Sequence, residues 1–487
     1  MYKVVWHLQT VNMKTLKRIL LPVLLLLVVI ISSCKKEKQA PLILPEGNQW
    51  ILDSMKVYYY WNEQLPERPG VNSSPIPFFK ELVNPLDRFS FMEDPANPTT
   101  EYSSFGYYGF EYALVELPAF PGRLLGAITL VVPNGPAAKK GLKRGDLFGA
   151  VNGIPLNVST VDGIKKVLKQ GAEISLQTVK ITNNQLINDA LLSVSYTYFR
   201  EQPVYLTKLF TNGDKKTGYI FYNTFNEEFD RNILDSIAKF KTKGITDLIL
   251  DLRYNPGGDV SSAAKIATAL APVNEAQVFL ISQANKNGGR FIETFGESIA
   301  KTASSPKTFA AVSNSRISIE KLFVLTSPAT ASSAELLINN LKPYLNVVQI
   351  GGKTIGKDMS SFEIYDQRIP KKIAYVLHPL IFKLYNAKLK GDYNTGLIPD
   401  YLLDEFNIMP LKEFGDKEEV LLKKALEISL GVTYTSSYKV EDNSRSSSSN
   451  LNGKTVFQSA TVRSTMRLPM NTGRPKNGLN FKLNKNK

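Results

Sequence analysis

The sequence is poor in the residues that bind metal ions and form disulfides. Its 487 residues include one cysteine, Cys34, and two histidines, His7 and His378. A single cysteine cannot form an intrachain disulfide, and this set cannot build a cysteine cluster or a multi-histidine metal site. We therefore expect a protein that needs no metal and no other cofactor.

The sequence also lacks an apolar run that is long enough to span a membrane. The run Ile19–Ile31 would be about 20 Å long as a helix, whereas the hydrocarbon core of a bilayer is about 30 Å thick. The basic stretch Lys14–Arg18 precedes the run and Ser32–Cys34 follows it, an order typical of a secretory signal peptide. Either Met1 or Met13 can serve as the start of such a segment.

Ile31-Ser32-Ser33-Cys34 resembles a bacterial lipobox, in which cleavage before the cysteine leaves that residue to carry the lipid anchor. The resemblance implies a signal peptide at 1–33, lipidation at Cys34 and a tether at 34–46. Several acyl chains on one residue meet the requirement for stable anchoring. Lys35 follows the cysteine, which in this resemblance implies outer-membrane retention in a bacterial cell envelope. An ordinary signal peptide with a chance cysteine is the alternative.

Most of the excess positive charge lies at the two ends of the chain. The net charge of +15 divides into +4 in residues 1–33, +8 in residues 431–487 and only +3 in residues 34–430. A basic balance confined to the two ends says little about the folded body, so we expect no nucleic-acid partner. Residues 431–487 are rich in Ser, Asn, Lys and Arg and are predicted to form a disordered basic tail that adds contact with anionic lipid.

The patterning along the chain predicts a multidomain α/β protein. Apolar residues at helical spacing between Pro-rich loops predict a small helical N-terminal domain at 47–104. Strands separated by turns predict a β-rich domain at 105–200. At 201–430, apolar strands alternate with amphipathic helices, the pattern of an α/β layer with a mostly parallel sheet. The clearest strands are predicted at Gly218–Phe221, Asp247–Leu252, Leu322–Thr326 and Val347–Ile350.

The β-rich region resembles a PDZ domain. The resemblance rests on Tyr108-Gly109-Phe110, on the stretch Pro136–Asp146 with its two glycines, and on the strand Phe148–Gly153. A Gly-Phe loop offers backbone N–H groups to a terminal carboxylate, and the strand that follows offers an open edge to an added β-strand. The resemblance implies that Tyr108, Gly109 and Phe110 form a peptide-binding loop. A generic β-domain with glycine turns is the alternative.

Three segments place residues suited to nucleophilic catalysis at the ends of predicted strands. Ser332 lies at a strand-to-helix turn, where the helix dipole and backbone N–H groups favour developing negative charge. Ser332 followed by Glu335 is equally a capping box, so this turn alone does not decide between the two roles. Gly257-Gly258 follows a second strand and lets backbone approach a substrate carbonyl. Lys357 follows a third, and a desolvated lysine can act as a general base.

Together these segments resemble peptidase family S41, the carboxyl-terminal processing proteases. The family's motifs correspond, in order, to Asp251–Gly258, Ser332–Glu335, Gly351–Lys357 and Gly396–Asp400. Lys357 follows Ser332 by 25 positions, as in the family pattern. The resemblance implies a ClpP/crotonase-like protease core at 201–430 with the PDZ domain inserted before it.

The resemblance also implies a role for each site residue. Ser332 would be the nucleophile and Lys357 its general base, a Ser-Lys dyad. Backbone N–H groups of Ser333 and of Gly257 or Gly258 would stabilise the oxyanion.

Two other residues compete for the role of base, and one position departs from the family. Lys353 matches a non-catalytic lysine of the motif, and His378, beside Pro379 in an apolar stretch, is more typical of a strand residue. Many family members carry a glutamine four positions after the base, where this chain has Ser361. Ser361 would orient Lys357 through a shorter hydrogen bond or a water, and otherwise the base is less well held.

These inferences predict a lipid-anchored serine endopeptidase of the cell envelope. Its substrates would be unfolded or C-terminally tagged polypeptides whose apolar C-termini bind the PDZ domain. The alternative is a catalytically weak or inactive peptide-binding lipoprotein with the same fold. Ser361, in the place of the usual glutamine, favours this alternative. The sequence does not indicate an oligomeric state.

Overall fold

The computed structural model describes residues 43–71, 73–96, 104–183, 185–197, 199–432 and 453–465. The chain separates into two units, Met1–Pro45 and Glu46–Lys487. Of the first unit only residues 43–45 are described, so the predicted signal peptide and Cys34 lie outside the described residues. Within the described ranges, no helix has the length and apolar character needed to cross a bilayer.

The N-terminal region is mainly helical, as predicted, and it adds one strand. Its regular elements are α1 (Glu46–Tyr58), α2 (Pro75–Leu82) and β1 (Phe91–Glu93). The two helices pack together through apolar residues at helical spacing, which leaves Ile51 and Phe78 without solvent exposure. β1 pairs antiparallel with residues 376–378 of the protease core, and this pairing joins the two regions.

The PDZ region is a small antiparallel sheet with short helices. Its elements are α3 (Ser104–Tyr108), β2 (Phe110–Glu116), β3 (Leu124–Val131), α4 (Pro136–Lys139), β4 (Leu147–Val151), β5 (Ile154–Pro155), α5 (Val161–Val167), β6 (Ile174–Thr182) and β7 (Gln185–Val194). The main strands lie in the order β2-β3-β4-β6-β7. Asn152 and Gly153 both have positive φ and form the tight turn between β4 and β5.

The protease core is built on a six-stranded sheet. Its elements are β8 (Val204–Asn212), β9 (Lys215–Tyr222), α6 (Asp230–Lys243), β10 (Asp247–Asp251), α7 (Val260–Leu270), β11 (Val278–Gln283), β12 (Arg290–Thr294), α8 (Phe295–Ala300), α9 (Phe309–Ser313), β13 (Lys321–Thr326), α10 (Ser333–Leu341), β14 (Asn346–Gly351), β15 (Met359–Ser360), β16 (Ile364–Tyr365), β17 (Val376–His378), β18 (Phe382–Tyr385), β19 (Tyr401–Leu402) and α11 (Val420–Leu430). The strand order is β19-β14-β13-β10-β9-β8, and all neighbours are parallel except β8 and β9. The predicted mostly parallel sheet is therefore confirmed.

The parallel order brings the predicted motifs to one edge of this sheet. β10, β13 and β14 are adjacent, with Asp251 opposite Leu325 and Thr326 opposite Gly351. The strands consist of continuous apolar runs because helices cover the sheet. Helix α11, for example, packs across the central strands. Since neighbouring parallel strands end at the same edge, the three turns that follow these strands meet there.

The prediction of a disordered tail from residue 431 is wrong for residues 453–465. This segment forms β20 (Lys454–Gln458) and α12 (Ser459–Thr465), and β20 adds to the PDZ sheet beside β2. Its apolar and small residues pack against the rest of the fold, and Ala460 is only 1% exposed. Residues 433–452 and 466–487 lie outside the described residues.

Candidate active site

Ser332 lies at the turn between β13 and α10 in a strained conformation. Its φ of 60° and ψ of −122° are rare for a residue with a side chain, and such strain persists only where the surroundings impose it. The turn is fastened to the neighbouring strand end, because Thr330 donates to the Leu252 carbonyl at 2.9 Å and the Ala331 N–H donates to the Asn255 carbonyl at 3.0 Å. Ser332 is 2% exposed.

Glu335 connects the serine turn to the lysine segment. Its Oε2 accepts hydrogen bonds from the backbone N–H of Ser332 at 2.9 Å and of Lys357 at 2.8 Å. Its Oε1 accepts from the Thr354 hydroxyl at 2.5 Å and from the Gly356 N–H at 2.7 Å. The glutamate therefore does more than the predicted helix cap, since it holds two separate segments on one carboxylate.

The same carboxylate is fully buried. Burial raises the pKa of Glu335 to about 7, and its four hydrogen-bond donors act in the opposite direction. All four neighbours donate, so a proton on Glu335 would displace at least one of them. The hydrogen-bond arrangement accordingly fits the ionised form.

Lys357 has the environment that a general base requires. It is 5% exposed, and burial lowers its pKa to about 8, while the nearby Glu335 acts in the opposite direction. Its Nζ lies 5.5 Å from the centre of the Phe89 ring, in a pocket lined by residues of the N-terminal region. The rival Lys353 is exposed to solvent, and this difference favours Lys357 as the base.

Arg88 fixes the lysine segment from the N-terminal region and was not predicted from the sequence. One terminal nitrogen of its guanidinium donates to the carbonyls of Asn394 at 2.7 Å, Ile355 at 3.0 Å and Gly356 at 3.2 Å. These partners are more than 260 residues away along the chain, so no local pattern marks Arg88. The helical region thus takes part in shaping the site.

The glycine turn lies directly against Ser332. A Cβ placed on Gly257 would lie 2.5 Å from the Ser332 Cβ and 2.8 Å from the Ser333 nitrogen. The Gly257 N–H donates to the Asn255 side-chain oxygen at 2.8 Å, so it would have to leave this partner to bind an oxyanion, and its role as a donor stays a prediction. The Ser333 hydroxyl donates to the Gly258 carbonyl at 2.6 Å. Gly258 and Ser333 remain the candidate donors through their backbone N–H groups.

Ser361 and His378 are both buried. Ser361 is 4% exposed just after β15, four positions from Lys357, and its orienting role stays a prediction. His378 lies in β17, where it stacks on the Phe91 ring at 4.2 Å, and its Nε2 is 3.0 Å from Glu93. A strand position for His378 is therefore confirmed, in agreement with the sequence-based expectation.

A buried ion network lies beneath the glycine turn. Arg253 is fully buried and forms ion pairs with Asp251 at 2.9 Å, Glu419 at 2.6 Å and Glu405 at 3.2 Å. Arg144 of the PDZ region pairs with the same Glu405 at 2.7 Å. Paired and hydrogen-bonded charges avoid the penalty of isolated buried ions. The network connects the PDZ region, the turn after β10 and the segment before α11.

The predicted peptide-binding loop leads into β2. Tyr108 and Phe110 are fully buried in the PDZ core, and Gly109 has a φ of 75°. The Tyr108 hydroxyl donates to the Ala172 carbonyl at 2.7 Å, while the Gly109 N–H donates to the Phe105 carbonyl at 3.0 Å. Their role in binding peptide stays a prediction. In the described part of the chain, no group of His, Cys, Asp and Glu side chains could hold a metal ion.

Comparison with known families agrees with this architecture. Residues 216–401 match peptidase family S41, residues 46–91 match the peptidase S41 N-terminal domain, and residues 128–179 match a PDZ domain. Residues 216–401 thus correspond to the domain of peptidase family S41, a family of serine-type peptidases, and residues 128–179 correspond to a PDZ domain.

Individual relatives carry the same assignment. A carboxyl-terminal-processing protease of Picosynechococcus sp. is 28% identical over 243 residues, which are 49% of this chain and 53% of that protein. A chloroplastic C-terminal processing peptidase of Tetradesmus obliquus is 25% identical over 236 residues, 47% of each chain. The chain thus spans about half the length of these curated relatives. A solved structure assigned to the S41 proteases, from Bacteroides fragilis, has 26% identity and a TM-score of 0.66, covering 81% of this chain and all of that one.

The contact between Gly257 and Ser332 predicts that substitution of Gly257 destabilises the protein more than substitution of Gly122. Gly257→Ala should lower the free energy of unfolding by about 1–3 kcal/mol more than Gly122→Ala, because overpacking adds to the backbone strain. Both glycines have positive φ, but a Cβ on Gly122 would meet no atom within 4 Å. Urea denaturation of both variants measures the difference, and equal midpoints would contradict the close contact.

Proposed function

We propose that this chain is a serine endopeptidase in which Ser332 is the nucleophile and Lys357 is the general base. The observation that carries the proposal is the pair of hydrogen bonds to Glu335, in which the backbone N–H groups of Ser332 and Lys357 share one oxygen. Their backbones thus lie within two hydrogen-bond lengths of each other. Proton transfer requires the Ser332 hydroxyl and the Lys357 amine to come within hydrogen-bond distance, and neighbouring backbones allow this.

The reaction would proceed through an acyl-enzyme. The neutral amine of Lys357 takes the proton of the Ser332 hydroxyl as its Oγ attacks the substrate carbonyl. The backbone N–H groups of Gly258 and Ser333 stabilise the oxyanion of the tetrahedral intermediate. Lys357 then gives its proton to the departing amine, and in the second half it activates the water that hydrolyses the ester.

The burial of the dyad supports unfolded polypeptides as the substrate class. Ser332 and Lys357 are 2% and 5% exposed, so a folded domain cannot place its backbone against them, whereas an extended segment can. A PDZ domain binds such a segment by adding it to the edge of a sheet. Substrate capture by an exposed, apolar C-terminal segment is therefore part of the proposal.

The proposal includes a lipid anchor at Cys34 in a bacterial cell envelope, most simply at the outer membrane. Its support comes from the sequence: the apolar run Ile19–Ile31 ends just before the one cysteine of the chain. Anchoring would concentrate the peptidase at a surface where envelope proteins are exported.

Removal of either member of the dyad should abolish hydrolysis. We expect Ser332→Ala and Lys357→Ala to cut an unfolded, reduced casein at least about 1,000-fold more slowly than the full chain, because the two residues act as a unit. Lys353→Ala, an exposed lysine of the same segment, is the control and should stay within about twofold. If the unsubstituted chain does not hydrolyse casein but still binds apolar C-terminal peptides, the result would instead support an inactive peptide-binding protein.

The activity should rise with pH through about 8. Lys357 accepts a proton only when it is neutral, and burial lowers its pKa to about 8. Below that value kcat/KM should fall about tenfold per pH unit, and above it the rate should reach a plateau. Initial rates on a fluorogenic peptide between pH 6 and 10 measure the profile. A profile that is flat across pH 8 would exclude Lys357 as the base.

Lipidation can be tested independently of catalysis. Cys34→Ser should lose incorporation of radiolabelled palmitate and move from the membrane fraction to the soluble fraction, because no other cysteine is present. Lys38→Arg, in the predicted tether, should behave like the unsubstituted chain. A mature N-terminus at a residue other than 34, determined by mass spectrometry, would contradict the proposed anchor.

A further inference from the structure

The C-terminal strand β20 occupies the free edge of the PDZ sheet. It pairs antiparallel with β2, with Gln458 opposite Ala113 and Lys454 opposite Glu116. A peptide that adds to β2 with its C-terminal end toward the loop at Gly109 must also run antiparallel, because that loop precedes the strand. The chain therefore fills the edge in the orientation expected of a bound substrate segment.

Phe457 anchors this segment in the groove between β2 and α5. Its ring centre lies 5.6 Å from that of Tyr112 on β2, and the Lys165 ammonium of α5 lies 4.7 Å above it. Phe457 packs against the hydrophobic core of the PDZ region. Val456, the preceding residue, is 46% exposed. The strand therefore turns Val456 toward solvent and Phe457 toward the PDZ core.

Helix α12 continues from the groove to the catalytic turns. Arg463 lies 2.7 Å from the Glu111 carboxylate, and it donates to the Tyr254 carbonyl, just before the glycine turn, at 2.7 Å. The Ser464 hydroxyl donates to the Ala329 carbonyl in the serine turn. Thr465 lies in the wall of the pocket that contains Lys357. One short segment thus contacts the PDZ edge, the glycine turn and the serine turn, and it lines the pocket that contains Lys357.

We infer that Gly453–Thr465 is an intramolecular ligand of the PDZ groove that holds the peptidase in a closed state. The inference rests on the proposed function. The groove takes an extended segment with an aromatic residue at the position of Phe457, followed by polar residues, and substrates with this pattern displace the chain's own segment. The helical end of the segment reaches the wall of the Lys357 pocket at Thr465. A helical backbone is not the extended chain that a peptidase cleaves, so we expect this end to hinder substrate entry rather than to present a bond for cleavage.

The test compares full-length variants in which the segment is weakened while the groove is intact. A fluorescent peptide of residues 454–465 should bind the Phe457→Ala variant at least about tenfold more tightly than it binds the unsubstituted chain. The reason is that the competing internal segment has lost its partly buried aromatic anchor. The same variant should hydrolyse casein at least about tenfold faster. Leu191→Ala, an exposed apolar residue on the opposite edge strand β7, should change neither value more than twofold.

Arg463→Ala provides a second variant at the helical end of the segment, so that one poorly folded protein does not decide the result. Unchanged peptide affinity in both variants would overturn the inference. If the variants bind the peptide more tightly but hydrolyse casein at the same rate as an active unsubstituted chain, the inference that the segment keeps the peptidase closed is overturned. Tighter binding with no hydrolysis in any variant would support occupancy of the groove and overturn the proposed peptidase function instead.

The segment could also come from a second copy of the chain, and sedimentation separates the two cases. An unsubstituted chain that sediments as a monomer supports the intramolecular arrangement. A dimer that dissociates on Phe457→Ala would overturn it in favour of exchange between copies.

Discussion

A single buried carboxylate holds the catalytic arrangement together. Ser332 and Lys357 follow neighbouring parallel strands, but the pairing of these strands ends at Thr326 and Gly351, before either residue is reached. Glu335 connects the two segments beyond this point, because its four donors come from both segments and leave it little freedom to move. The strained backbone of Ser332 persists because the surrounding hydrogen bonds hold it in this conformation.

The site is also enclosed from outside the α/β core. Arg88 fixes the lysine segment from the helical region, and Phe89 contributes a wall beside the Lys357 amine. Burial of this kind favours the neutral form of a lysine, because the ammonium loses its solvation. The N-terminal region therefore helps to shape the proposed active site through Arg88 and Phe89.

The sequence predicted the parts of the site that depend on local pattern and strand order. Ser332, Lys357 and the glycine turn follow apolar strands, and parallel strands end at one edge, so their proximity was foreseeable. Arg88 was not foreseeable, because its partners are distant in sequence. The strand Lys454–Gln458 was missed for a related reason: five residues within a polar, basic stretch gain their order from the PDZ edge rather than from their own composition. The engagement of the Gly257 N–H by Asn255 likewise depends on exact loop geometry.

The buried ion network has a consequence for how the PDZ domain can move. Arg144 shares Glu405 with Arg253, so a hinge rotation of the domain would part a cation from its carboxylate where water cannot replace it. Breaking a buried pair of this kind costs about 3–5 kcal/mol, which leaves fewer than about one molecule in a hundred in the rotated state. If the groove binds substrate as proposed, a peptide would enter by replacing β20 along β2, while the PDZ region keeps its position against the core.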